Sequence, residues 1–297
     1  MSKRHLKFEA IGTRWEIVTE NNLPETAWVR LRQAISERIE EFDKTYSRFR
    51  ADSLVTRMSQ RAGRYALPAD AYPLLRFYEQ LYRLTKGKIT PLIGQVMSDA
   101  GYDADYSLQP KKLRPAPAWE YVIRYGKQHI ELSRPALLDF GAAGKGCLVD
   151  IIGELLEAAD IRDYYVNAGG DIRYRTSGPD PLRVGLENPQ DSNEVLGMAM
   201  VHNQSICASS GSRRAWDRYH HLIDPAGLES PREILSTWVM AKGTMTADGL
   251  ATALFFAEPE TLRAEFPFAY TRLRPDMSME RSANMTVKLF EAEPLTS

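Results

Sequence analysis

Between Asp139 and Leu156 the chain reads Asp-Phe-Gly-Ala-Ala-Gly-Lys-Gly-Cys-Leu-Val-Asp-Ile-Ile-Gly-Glu-Leu-Leu, and no other stretch restricts the fold as tightly. Leu148, Ile151, Ile152, Leu155 and Leu156 fall at i, i+3, i+4, i+7 and i+8, so a helix with one apolar face starts here and must bury that face. It opens directly from Gly141-Ala-Ala-Gly-Lys-Gly146. Amides unshielded by side chains at a helix N-terminus are expected to face open space and to hold an anion, with Lys145 adding a full charge. The same glycines would equally serve a helix packed tightly on a strand, with Lys145 in solvent. The loop is not a Walker A motif: Asp139 stands where a glycine is required, and Gly146 follows Lys145 where Ser or Thr is required. Nor is it a Gly-x-Gly-x-x-Gly fingerprint.

The rest of the chain places this helix among strands. Leu6 to Val18 alternates apolar and polar residues on either side of Gly12-Thr13, which predicts a pair of short strands. Trp28, Leu31, Ala34, Ile35, Ile39 and Phe42 predict one long helix from Glu25 to about Tyr46. A loop near Arg50 to Ser53 leads to a second helix, Ala69 to Lys86, ended by Gly87. Gly101 to Pro117 has no periodicity and reads as a loop or lid; short strands follow at Tyr121 to Tyr125 and His129 to Leu132, turning at Gly126-Lys127. Further strands are expected at Tyr164 to Asn167, Ile172 to Thr176, Leu182 to Leu186, Gly197 to Val201 and Thr237 to Ala241. Strands outnumber crossover helices, so the fold class is α+β: a mostly antiparallel sheet with packed helices, in a single large domain spanning 1–297.

Charge narrows the partners. Thirty-eight Lys and Arg against 39 Asp and Glu leave a formal charge of -1, with no basic field to hold a nucleic acid. No stretch approaches the roughly 18 apolar residues of a membrane-spanning helix. Met1 to Ala10 lacks the apolar centre of a secretory or lipid-anchoring leader, so a cytoplasmic location is expected. Cys147 and Cys207 lie far apart without a Cys-x-x-Cys motif and are expected to be buried and inert.

Two further segments carry chemistry. Thr244 or Thr246 is placed to cap a helix running through Ala253, which puts Asp248 and Thr252 one turn apart on one face, with Asp248 at an exposed helix start. A carboxylate and a hydroxyl, completed by carbonyl and phosphate oxygens, suit Mg²⁺ rather than zinc. An Asp that complements the helix dipole beside a Thr that merely packs would leave the same pattern. In His220-His221-Leu-Ile-Asp-Pro225 a histidine can act as general base near neutral pH, or serve as a structural residue at a strand edge.

Taken in order, Asp139-Phe-Gly-Ala-Ala-Gly-Lys-Gly146, Asn167-Ala-Gly-Gly-Asp171, Ala208-Ser-Ser-Gly211, His221-Leu-Ile-Asp-Pro225 and Ala247-Asp-Gly-Leu-Ala-Thr252 resemble the ApbE family of FAD:protein FMN transferases. Weaker echoes are Ile11-Gly-Thr13, Ser47-Arg-Phe-Arg-Ala-Asp-Ser53 and Gly87-Lys-Ile-Thr-Pro-Leu92, so the likeness runs from Gly12 to about Phe256. The resemblance implies Asp248, Thr252 and the Ala142 carbonyl as magnesium ligands. It implies Asp139, Lys145 and Ile223, with Phe49, Gly101 and Tyr102 at the flavin, as FAD contacts, and His221 as the base. The implied reaction moves the FMN half of FAD onto a Ser or Thr hydroxyl of a target flavoprotein and releases AMP. Hydrolysis of FAD to FMN and AMP, or FAD binding without chemistry, are the alternatives. Three departures stand out: Gly144 for the usual Ala, Phe140 for Leu, and Asp224-Pro-Ala-Gly227 without the customary Thr, one residue short.

Overall fold

The computed structural model describes residues 2–212 and 214–290. It opens with the hairpin β1 (Ser2–Ala10) and β2 (Thr13–Asn21). They join through Ile11 and Gly12, both at positive φ (43° and 73°), the backbone that matches a tight hairpin to strand twist. Helix α1 (Glu25–Tyr46) buries the expected stripe of Trp28, Leu31, Ile35, Ile39 and Phe42. Then come α2 (Leu54–Gln60), β3 (Gly63–Ala66), α3 (Ala71–Leu84), α4 (Gly94–Asp99), α5 (Trp119–Val122), β4 (Ile123–Gly126) and β5 (His129–Leu132). The central helix α6 (Gly144–Ala158) starts from the glycine cluster. Strands β6 (Asp163–Ala168), β7 (Asp171–Arg175), β8 (Leu182–Asn188), β9 (Asp191–Val201) and β10 (Ser205–Ser210) follow. The chain continues through β11 (Ala215–Trp216), β12 (Tyr219–His220), β13 (Ser236–Ala241), α7 (Thr244–Ala253), α8 (Pro259–Arg263), β14 (Ala269–Leu273), β15 (Met279–Arg281) and β16 (Val287–Leu289).

Eight strands make one sheet in the order β1-β2-β6-β7-β10-β13-β14-β15, with every neighbouring pair antiparallel. The period-2 alternation of side chains lets one strand feed two cores. In β13, Val239 and Ala241 join the core beneath α1, α3, α6 and α7, while Trp238 and Met240 face the other way. There they meet Leu186, Ala199 and Val201 of the small sheet β16-β9-β8. The molecule is therefore helices, main sheet and minor sheet in three layers. Each fully buried Leu or Ile contributes about 1.5–3 kcal/mol.

Expectation and structure differ in places. Tyr121 and Val122 belong to the single helical turn of α5, which buries Trp119 and Val122 three residues apart, rather than to a strand. The hairpin after it turns at Lys127-Gln128, since Gly126 pairs with His129. Strand β10 is central, yet Ser-Ile-Cys-Ala-Ser-Ser has almost no apolar alternation to reveal it.

Helices α6 and α7 meet at Gly146. A Cβ there would collide with the Thr244 carbonyl oxygen and lie 2.7 Å from the Asp248 Cβ, whereas at Gly144 the nearest atom would be the Phe140 Cβ at 3.4 Å. Gly146→Ala should therefore destabilise the fold by about 1–3 kcal/mol through overpacking. Gly144→Ala, with ordinary contacts and better helix propensity, should be neutral or stabilise by up to about 1 kcal/mol. Urea unfolding of the two variants checks this; equal effects would contradict the close approach at Gly146.

Candidate active site

One cleft of about 210 Å³ collects Phe49, Tyr102, Asp139, Ala142, Lys145, His221, Ile223, Asp248 and Thr252 in its wall. Gly101, the remaining expected position, is not in that wall. Its φ of +100° and a backbone approach leaving only 2.6 Å between a Cβ and the Gln109 nitrogen mark it as a loop-turning residue. Past Lys88 and Phe256, which line both, the cleft adjoins a groove of about 680 Å³.

Most amides of the glycine loop are already engaged. Gly141 N donates to Asp139 Oδ1 at 2.7 Å, Ala142 N to the Tyr78 hydroxyl at 3.1 Å, and Gly144 N to the Phe140 carbonyl at 2.7 Å. Gly146 N, which would ordinarily return to the Ala142 carbonyl, donates instead to Asp248 Oδ2 at 2.9 Å. The expected anion cradle is thus largely consumed internally. Ala142, its carbonyl released from the helix ladder, and Lys145 are what the loop contributes to the cleft wall.

Asp248 is 6% exposed, not at an exposed helix start. It and Thr252 lie on one face of α7, with Thr252 Oγ1 3.3 Å from Ser209 Oγ of β10. Neither Thr244 nor Thr246 caps α7; Asp150 of α6 accepts from Thr244 N and Met245 N at 2.8 and 2.9 Å. Asp171, quoted in the Asn167 motif but not singled out there, is 1% exposed and pairs with Lys145. Burial and then the Asp171 carboxylate push Asp248 well above the ordinary carboxylate range. Burial opposes the Lys145 charge, but Asp171 and Asp248 outweigh it and hold that ammonium above its usual pKa. Were both carboxylates ionised, the single lysine would leave one negative charge unbalanced among hard oxygen donors, a set that a divalent cation would fit. Among the described residues no three His, Cys, Asp or Glu side chains cluster to bind a metal by themselves. Hydroxyl, carbonyl and phosphate oxygens would have to complete the shell.

The other end of the cleft is aromatic. Phe49 stacks on Tyr106 (5.3 Å, 12°) and Tyr102 on Trp216 (5.6 Å, 23°). Arg48, missed in the sequence although it lies in the Ser47 to Ser53 echo, is buried beneath them. Its guanidinium sits 4.1 Å from the Phe49 ring and donates to Asp139 Oδ2 (2.5 Å) and the Tyr102 carbonyl (2.6 Å). The one-residue-short turn closes on itself: Asp224 Oδ1 accepts from Ala226 N and Gly227 N at 2.9 and 3.0 Å. Cys147 and Cys207 are buried free thiols, as expected.

This is an α+β protein whose cleft lies where two packed helices meet the central strands of an antiparallel sheet. The chain belongs to the ApbE family, whose model matches residues 11–266. It is 26% identical to the FAD:protein FMN transferase of Vibrio cholerae, over 84% of this chain and 80% of that one. It is 27% identical to that of Haemophilus influenzae, over 73% and 69%. In fold it is similar to the flavin transferase ApbE of Vibrio cholerae (TM-score 0.80, 23% identity, 95% and 96% covered). It is also similar to the ApbE protein of Thermotoga maritima (TM-score 0.81, 19% identity, 95% and 97% covered).

His221 lines the cleft with its Nδ1 buried and unpartnered. Burial, then Arg214, lowers its pKa from 6.5 to about 3. The folded imidazole stays neutral where the unfolded one takes up a proton, so this residue opposes folding increasingly as pH falls through about 6.5 and not above it. Acidifying from pH 7 to 5 should cost on the order of 1–2 kcal/mol through His221 alone. In His221→Gln the fall in unfolding free energy over that range should be shallower by this amount; an unchanged slope would contradict the burial.

Proposed function

We propose that the chain is a magnesium-dependent transferase that moves the FMN half of FAD onto a Ser or Thr hydroxyl of an acceptor flavoprotein and releases AMP, with the whole chain, 1–297, as one such domain. The observation that carries this reading is that nine positions scattered along the chain from Phe49 to Thr252 line one cleft with an aromatic end and an oxygen-rich end. Relatives of similar length carry the same activity in their names.

In this reading Phe49 and Tyr102 hold the flavin, with Gly101 shaping the loop behind them. Asp139, Lys145 and Ile223 contact the nucleotide. Asp248, Thr252 and the Ala142 carbonyl are the residues to hold Mg²⁺, which when bound would neutralise charge developing on the diphosphate oxygens. The acceptor oxygen forms a bond to the FMN phosphorus as the bridging P–O bond to AMP breaks. The hydroxyl proton passes to His221, whose neutral imidazole has a free lone pair, and an anion bound alongside raises its proton affinity for that moment.

Incubation with FAD and Mg²⁺, with and without cell extract, should yield AMP together with protein-bound flavin. AMP with free FMN and no bound flavin would make water the acceptor; no AMP under any condition would overturn the reading. Asp248→Asn keeps the shape and an acceptor for Gly146 N but loses the charge. It should remain folded by circular dichroism and lose Mg²⁺-dependent AMP release by at least about 10²-fold, the cost of a misassembled transition-state clamp.

A further inference from the structure

Asp150 lies outside the cleft wall and has no place in the chemistry above, yet both of its carboxylate oxygens are engaged. Oδ1 accepts from Thr244 N at 2.8 Å and from Arg173 Nη1 at 2.6 Å, and Oδ2 accepts from Met245 N at 2.9 Å. The first two amides of α7 are therefore capped from a neighbouring helix by an anion at the positive end of the dipole. Arg173 of β7 is itself fixed: Nε donates to the Tyr164 hydroxyl at 2.8 Å and Nη2 to Glu157 at 2.9 Å. Gly153 makes the room, since a Cβ there would come within 2.5 Å of Arg173 Nε. Burial disfavours the Arg173 charge, but Asp150 and the groups around it more than offset this and raise its pKa. One turn beyond the capped amides stands Asp248, and one turn further Thr252.

We propose that Asp150, locked by Arg173, is the positioning residue of the cation site: it sets the height and rotation of α7 so that Asp248 and Thr252 meet the Ala142 carbonyl. This rests on the magnesium reading of the same cleft. Two ties then hold α7 against α6, the Asp150 cap at its start and the Gly146–Asp248 hydrogen bond one turn on. A partially buried ion pair that also satisfies two backbone amides gives a single geometry, whereas a lone cap would let the helix start fray. Losing such an outer partner typically weakens metal binding about 10–100-fold.

The test is Mn²⁺ binding, read by electron paramagnetic resonance on the FAD complex, beside FAD affinity measured in EDTA and the Mg²⁺ dependence of AMP release. Asp150→Ala should weaken Mn²⁺ at least about 10-fold and raise the Mg²⁺ needed for half-maximal rate to match. The rate should largely recover at saturating Mg²⁺, and FAD affinity in EDTA should stay within about twofold. Asp150→Asn, which keeps one acceptor, should fall between, and Arg173→Lys, which keeps the charge but not the fork, should show a smaller shift of the same kind. These two serve if Asp150→Ala fails to fold. Lowered melting temperature with unchanged Mn²⁺ affinity in the variants would overturn the positioning role alone. A wild-type protein that binds no Mn²⁺ would overturn the magnesium reading, and this proposal with it.

Discussion

Gly146 lets α6 and α7 touch without an intervening side chain, and that single approach arranges the rest of the site. Because the helices are so close, the Gly146 amide reaches the Asp248 carboxylate instead of the carbonyl one turn back. The exchange gives the buried Asp248 carboxyl a donor inside the fold and leaves the carbonyl of Ala142, a residue of the cleft wall, free of the helix ladder. A Cβ at this one position would push the helices apart and undo both effects.

The electrostatics follow from the same packing. Asp171 and Asp248, both nearly inaccessible, face one ammonium, Lys145. Burying carboxylates costs several kcal/mol each unless they are paired and hydrogen-bonded. Were both ionised, pairing would be incomplete by one charge, and the raised pKa of Asp248 records that imbalance. Such an imbalance is tolerated where a ligand restores it, and it sits at the end of the cleft opposite the stacked aromatics, so charge and π-surface are separated along one binding trough.

Much of this was legible in the chain. Long periodic elements such as α1 and α6 announce themselves because one face must be buried, and β13 because both of its faces are. The site positions were legible as ordered short motifs, whose meeting point only the sheet order supplies. What stayed hidden depends on tertiary contact. Half of β10 is serine, Asp150 acts as a cap 94 residues from the first amide it serves, and the loop amides look open until Tyr78 and Asp248 are brought to them. Asp248 is buried for the same reason: a helix start is exposed in isolation, but this one is covered by α6.

In the proposed function the oxygen end of the cleft would hold a divalent cation against the diphosphate of FAD, with the flavin over Phe49 and Tyr102. Crystals grown with FAD and Mn²⁺, measured at the manganese edge, test it most directly. The expected result is an anomalous peak bonded to the Asp248 carboxylate, the Thr252 hydroxyl and the Ala142 carbonyl, at about 2.0–2.3 Å, with diphosphate oxygens completing the shell. A peak at other residues, or FAD seated away from this cleft, would contradict it.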